Sequence, residues 1–477
     1  MNNRNIDVHC HFFNAAFAFN ELLEAGWRLL HGDYPYKSNE LLKAKALAVT
    51  TRKVVGYVKY IASLLVTAAR SPQANYDYEQ DCYAKSQWHP SQPIITVPLM
   101  MDIFFAFDNG SRQQRKTRLE ALPAAERKTA IAPASVSERE IPTFDEFAEK
   151  MKNMVIEEYK QQAARKSVAG TYTPKSALPV VRELDRVIAT FKAEAMPALA
   201  TKGLPSGGNV QMTRGYKKHL KELKALRKKN PDTVFPFLAV DPRRIGIEKL
   251  VRDQVVRGSF HGVKLYCPLG YLPSHPYLYP IYKLCIKHHI PVTAHTSPGG
   301  FPSQCSNIRT LSRKKDGTVV PVVFDKKTFE ATHPVKKGEK AQSLFFANPE
   351  NWTEVIESDG LDTLHINFAH FGGQEDIKKY ATGSADPTNW TARIIGLMNR
   401  FKHVYADISF CPDDDMLQAI DAIVSRHPIV EERLMFGTDF VMLMIDKIGL
   451  RNYFNQYTGI KPPMMTANPQ AFLRYIQ

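Results

Sequence analysis

The sequence predicts an α/β fold, a parallel (β/α)8 TIM barrel with large, mostly helical insertions after strands 1, 2 and 5. Two observations lead there. Eight short apolar runs recur along the 477 residues, most of them followed by a helical pattern. Strands alternating with helices imply a parallel sheet, and eight repeats imply closure into a barrel. Five of the runs also carry a polar residue at or near the C-terminal end. A parallel barrel gathers such ends into one ring, where groups from distant positions meet.

The strands, in order, are Ile6–His11, Ile94–Met101, Val234–Val240, Gly262–Tyr266, Pro291–His295, Leu364–Ala369, His403–Ile408 and Leu434–Thr438. After the third, Ile247, Leu250, Val251 and Val255 share one helical face; after the fourth, Ile281, Leu284, Cys285 and His288 recur at helical spacing. After the seventh, Asp413, Asp414 and Asp415 lead into Met416, Leu417, Ile420 and Ile423, and carboxylates in a first turn complement the helix dipole. A barrel of this type needs roughly 250 residues, so much of the chain is insertion: 12–93, 109–232 and 297–362. The second insertion holds amphipathic helices, one with Phe147, Met151, Met154, Val155 and Tyr159 on a face, another with Leu184, Val187, Ile188 and Phe191. Because each insertion follows a strand, the three are expected to cap the catalytic face of a single domain spanning 1–477.

Composition narrows the class. An apolar content of 44% suffices for a large core, and a formal charge of +15 points to acidic substrates or partners. Cys10, Cys82, Cys267, Cys285, Cys305 and Cys411 are scattered without a C-x-x-C pair, which argues for reduced thiols in a cytoplasmic protein. The first strand already carries His9 and His11, so no signal peptide is expected. The stretch from Val54 to Ala69 is broken by Gly56 and Lys59 and falls short of the roughly 20 apolar residues of a membrane span. It is expected to be a buried amphipathic helix.

The polar strand ends are His9 and His11 in I-D-V-H-C-H-F, Lys264 in F-H-G-V-K-L-Y, His295 in I-P-V-T-A-H-T, His370 in L-H-I-N-F-A-H-F-G-G and Asp439 in L-M-F-G-T-D-F. Side chains alternate along a strand, so His9 and His11 face the same way with Cys10 opposite. Two neutral imidazoles on one strand form a bidentate clamp for a divalent ion. A histidine ending an apolar strand is costly unless paired or ligated. Any one of these residues has an ordinary structural explanation: a packed histidine, or an aspartate capping the next helix. Their joint occurrence at strands one, five, six and eight points to a metal site.

With those residues in view, the chain resembles the amidohydrolase superfamily. H-x-H on strand one, histidines on strands five and six and an aspartate on strand eight carry the likeness. F-A-H-F-G-G and F-G-T-D look most like the amidohydrolase-related branch of hydrolases and metal-dependent decarboxylases. The likeness covers the barrel segments and not the first two insertions. It implies that His9, His11, His295 and Asp439 hold one zinc-like ion, with manganese, iron or cobalt as alternatives. It also implies that His370 orients or deprotonates water on that ion. A divalent ion lowers the pKa of such water from about 16 to about 7. Asp439 would accept a proton and pass it to the leaving group, and His370 would alternatively polarise the substrate oxygen.

Lys264 carries two readings. In binuclear relatives a lysine at the end of strand four is carboxylated and bridges a second metal; an unmodified ammonium instead binds a substrate carboxylate. Arg243, in A-V-D-P-R-R, is a second candidate for the substrate, against the simpler view that Asp241, Arg243 and Arg244 make a tight turn with local ion pairs. The expected activity is hydrolysis of a small amide, ester or lactone, with an anionic group on the substrate. The alternative is decarboxylation of an aromatic or enoic acid; a nuclease or phosphoesterase and a non-catalytic barrel rank below both. The basic run Lys217, Lys218, Lys221, Lys224, Arg227, Lys228 and Lys229 keeps nucleic acid in view. The superfamily's nucleases usually place a carboxylate where Lys264 stands, which argues against that partner. Self-association into a homo-oligomer stays open.

Overall fold

The computed structural model describes residues 4–13, 71–106, 144–166, 212–384, 386–440 and 448–474, with 19, 23, 181–182, 184–189 and 442–445. The stretch Val54–Ala69 and the side chains of Phe147, Tyr159 and Phe191 lie outside them. The chain divides into two compact units, Met1–Phe12 with Pro72–Asn109 and Leu220–Gln477, and Phe13–Ser71 with Gly110–His219. Most of the first two insertions fall in the second unit, while the third insertion belongs to the first.

The first unit holds all eight expected strands as parallel neighbours. We label them β1 (Ile6–Cys10), β2 (Ile95–Pro98), β3 (Phe237–Val240), β4 (Gly262–Leu265), β5 (Val292–His295), β8 (Ile366–Ala369), β9 (Val404–Asp407) and β10 (Leu434–Met435), with β6 and β7 in the third insertion. Six of them pair in the order β10-β9-β8-β5-β4-β3, and β1 pairs with β2. The two pieces are joined by isolated parallel bridges, Thr96 to Val234 and Leu99 to Phe237 on one side, Cys10 to Phe440 on the other. The ladder is therefore not continuous around the ring, although the α/β barrel order is kept.

Ile6 and Val8 of β1 share a core cluster with Ile95, Val97, Phe237, Tyr405 and Met435. Gly262 is needed here, because a Cβ would lie 2.4 Å from the Phe237 ring. Strict alternation would put Asp7 and Cys10 on opposite faces, yet both lie against Glu79, with Cys10 Sγ 2.9 Å from Thr96 Oγ1. A register shift between Asp7 and Cys10 resolves this. Such a bulge adds one residue to a strand and re-aims a side chain, here His9.

Helices follow the strands as their periodicity requires. Ile247–Val251 runs into a wider turn through Val256 and buries Ile247, Leu250, Val251 and Val255. Tyr279–Lys287 buries Ile281, Leu284 and Cys285, and Met416–Arg426 begins directly after the three aspartates. In the second unit Phe144–Lys166 buries Met151 and Val155, and Lys152 reaches Asp185 at 2.9 Å.

The third insertion departs from the mostly helical expectation. It opens as an antiparallel hairpin, β6 (Asn307–Arg313) against β7 (Val319–Asp325), before short helices resume. Its valine-rich second arm and the Asp316-Gly317 turn, with Gly317 at φ 89°, are hairpin chemistry.

Candidate metal centre

The strand ends converge as the sequence requires. His9, His11 and Asp439 bring ligand atoms within 4.8 Å of one another. His9 Nε2 and His11 Nε2 stand 3.5 and 3.1 Å from the same oxygen, Asp439 Oδ1. Gly437 makes this approach feasible, because a Cβ there would lie 2.8 Å from that of His9. The turn is tight: Asp439 N donates to His9 O at 2.6 Å, and Asp439 holds φ 55°. His370 also has positive φ, 73°. Non-glycine residues in this region cost about 1–3 kcal/mol each and cluster at functional sites.

His295 meets His370 and lies outside the tight triad, its Nδ1 3.0 Å from His370 Nε2. Lys264, at the end of β4, is buried with no hydrogen-bond partner for Nζ among the described residues. A cavity lined by Met100, Asp102, Asp241, Lys264, Tyr266 and Tyr271 lies beside it.

Arg243 is engaged by its own turn. Its Nε donates to Asp241 Oδ1 at 2.8 Å and its Nη2 to Asp241 Oδ2 at 2.6 Å, with the guanidinium 4.5 Å over Phe105. Arg244 forms the matching fork with Asp102, at 2.7 Å from Nη2 to Oδ2 and 3.0 Å from Nε. Both pairs are buried, so each arginine already has its anion.

The electrostatics of the ring suit a cation. Burial, then the nearby Lys264 charge, pulls His9 down to about 3. Burial likewise pushes His370 below its ordinary value and His295 well below it, so all three are neutral at pH 7. Burial opposes ionisation of Asp439, but the adjacent His11 and His9 rings outweigh it and hold the carboxyl below its ordinary value. Lys264 is brought down to about 8, mainly by burial. Three buried acceptor atoms, His9 Nε2, His295 Nε2 and Asp439 Oδ1, have no hydrogen-bond donor among the described residues. Imidazole nitrogens and a carboxylate left in this state suit a divalent ion of the zinc, manganese, iron or cobalt type.

Two groups stand behind the ring: Asp407, which the sequence offers only as a strand-end residue able to line the pocket, and Ser409, which it does not single out. Asp407, ending β9, accepts from Asn367 Nδ2 at 2.7 Å and from the backbone N–H of His370 and Ser409, each at 3.1 Å. The Ser409 hydroxyl lies 2.9 Å from His9 Nδ1 and 3.0 Å from His370 Nδ1. Only the Y-A-D-I-S segment at a strand end hints at Asp407; a serine two residues on carries no signal of its own. A third group, Asp7 with Glu79, supports β1. Asp7 accepts from His9 N at 2.9 Å and Thr438 N at 3.0 Å, while burial lifts it to about 7 and pushes Glu79 well above its ordinary value.

The amidohydrolase family profile matches residues 6–444. No curated protein is similar to this chain. Among solved structures, 5-carboxyvanillate decarboxylase from Sphingomonas paucimobilis is 11% identical with a TM-score of 0.34, covering 55% of this chain and 73% of its own. A putative amidohydrolase from Staphylococcus aureus is 12% identical with a TM-score of 0.35, covering 57% and 85%. An uncharacterised TIM-barrel protein from Bordetella bronchiseptica is 15% identical with a TM-score of 0.33, covering 54% and 72%. Likenesses at this level carry no weight for activity.

Proposed function

Since this chain belongs to the amidohydrolase family, we propose that it is a metal-dependent hydrolase of a small amide, ester or lactone bearing an anionic group. The observation that supports this most is the set of buried acceptors without donors at His9 Nε2, His295 Nε2 and Asp439 Oδ1. Lone pairs turned on one another in a dry site repel, and a cation relieves that repulsion. His9, His11, His295 and Asp439 would hold the ion. When bound, it supplies Lewis-acid polarisation of water and substrate.

Asp439 Oδ1 is the proton acceptor in this reading, because its carboxyl is held below its ordinary value and faces His9 Nε2 and His11 Nε2 at 3.5 and 3.1 Å. The proton taken from water returns from that oxygen to the leaving group. His370 Nε2 receives the Nδ1–H of His295, so His370 acts first by aiming His295 and draws on its basicity only when that contact opens. Lys264 Nζ, buried and without a hydrogen-bond partner among the described residues, anchors the substrate's anionic group. Arg243, already paired, shapes the wall beside it.

Ion pairing also favours a small anion over a polyanion. In the third insertion Lys314 pairs with Glu354 at 3.1 Å and Lys315 with Glu357 at 3.0 Å. On the helix Arg214–Lys229, Lys217, Lys221, Lys228 and Lys229 are solvent-facing, as expected of a hydrated basic surface. Among the described residues no helix is long and apolar enough to cross a membrane.

Metal-replete protein assayed against an ester, lactone and amide panel should hydrolyse anionic members, and Asp439→Asn should abolish this. The unpaired Lys264 equally suits the carboxylate of a decarboxylase substrate. Carbon dioxide release from aromatic or enoic acids, with no hydrolysis of the panel, would establish that second reading instead.

A further inference from the structure

The hydrogen bonds behind the ring fix where each histidine keeps its proton. A carbonyl oxygen only accepts, so His370 Nδ1, 3.1 Å from Ser409 O, must carry a proton. That leaves His370 Nε2 bare, and its contact with His295 requires the proton to sit on His295 Nδ1. His295 Nε2 is then bare as well.

His9 has no backbone carbonyl to decide the matter. Its Nδ1 faces Asp407 Oδ2 at 3.3 Å and Ser409 Oγ at 2.9 Å. Asp407 is an acceptor on both oxygens: Asn367 Nδ2 donates to Oδ2 at 2.7 Å, and the N–H groups of His370 and Ser409 donate to Oδ1 at 3.1 Å. The single Ser409 hydroxyl proton goes to Asp407 Oδ1, so Ser409 Oγ offers only lone pairs to the two imidazoles. Both hydrogen-bond partners of His9 Nδ1 among the described residues are therefore acceptors.

We propose that Asp407, with Ser409 as its relay, is a positioning residue that locks His9 in the Nδ1–H tautomer, keeping the Nε2 lone pair aimed at the metal. The role deepens the metal-centre reading above and rests on His9 being a ligand. The arrangement predicts what an isosteric change does. Asp407 Oδ1 receives the N–H of His370, the N–H of Ser409 and the Ser409 hydroxyl. In Asp407→Asn the amide oxygen must stay at that position, which places the NH2 group against His9 Nδ1. A donor there drives the proton to Nε2, and a protonated Nε2 cannot ligate.

The test uses metal-free full-length protein with 15N-labelled histidine, His9 being assigned by comparison with His9→Gln, followed by zinc titration. Wild type should show His9 as Nδ1–H. Asp407→Asn should show it as Nε2–H and bind zinc about 10- to 100-fold more weakly, the usual size of an outer-ligand effect. Ser409→Ala should give mixed His9 tautomers and a smaller loss. An Asp407→Asn protein that keeps Nδ1–H and wild-type zinc affinity overturns the proposal. If that variant does not fold by circular dichroism, Ser409→Ala decides, and an unchanged tautomer there overturns it equally. A flipped tautomer with unchanged zinc binding supports the tautomer lock and removes His9 from the ligand set, so the two readings fail separately.

Discussion

Two buried charged regions lie at the C-terminal ends of the strands, and they differ in how charge is balanced. At β2 and β3, Asp102 faces Arg244 and Asp241 faces Arg243, each carboxylate meeting a guanidinium fork at 2.6–3.0 Å. At β1, β5, β8 and β10, three histidines, His9, His295 and His370, are neutral and Asp439 is ionised, with His9 Nε2, His295 Nε2 and Asp439 Oδ1 lacking a hydrogen-bond partner among the described residues. The first region is complete as folded protein. The second is, in the proposed reading, completed by a cation, and on that reading the contrast separates structural charge from chemical charge in this barrel.

The largest effect should come from breaking the incomplete side. Asp439→Asn is expected to cut turnover by roughly a thousandfold, because Lewis-acid stabilisation is worth several kcal/mol and each decade of rate is about 1.4 kcal/mol. Its thermal stability should change little, as measured by calorimetry on the metal-free protein.

The complete side should respond in the opposite way. Arg244→Ala leaves the Asp102 carboxylate buried and unpaired, and denaturant unfolding should show a loss of about 3–5 kcal/mol. Metal content should stay at the wild-type level. Removing both partners in Asp102→Leu with Arg244→Met should recover most of that stability. If the double variant lost metal, the two regions would not be separable.

Much of this contrast is legible in the sequence. All eight strands are legible as short apolar runs, and the meeting of His9, His11 and Asp439 follows from the polar residues at or near the ends of five of those runs. The third insertion's hairpin is missed because helical and strand patterns compete over short amphipathic runs, and the D-G turn outweighs them. The bulge in β1 is invisible to alternation, since one added residue changes facing without changing composition. Asp407 is legible only as a strand-end group that could line the pocket; its place behind His9, and Ser409 altogether, are missed for another reason. A tautomer lock depends on which atoms meet across β1, β8 and β9, and single-strand patterns say nothing of that.

A smaller effect sharpens the comparison at Lys264, the cation between the two regions. Lys264→Met should raise KM for an anionic substrate by about ten- to a hundredfold, in line with roughly 1.5–3 kcal/mol for a hydrogen bond to a charged group. It should leave KM for a neutral analogue unchanged. The same residue has a pH signature in the metal-free protein. Its pKa is about 8 when folded against 10.5 as the ordinary value, so the unfolded chain binds the extra proton between these pH values. Unfolding free energy therefore gains an upward slope with pH through that window. Lys264→Met should remove that slope, as read from denaturant midpoints at pH 8 and pH 10.

The central claim is that the uncompensated ring is a metal site, and metal content per chain by mass spectrometry tests it most directly. Wild type is expected to hold about one ion, as in mononuclear three-histidine sites, with the ion lost in His11→Ala and retained in Lys264→Ala. About two ions, falling in Lys264→Ala, would mean a carboxylated lysine bridge in place of a substrate anchor. No metal in wild type after reconstitution with zinc, manganese, iron or cobalt would contradict the account.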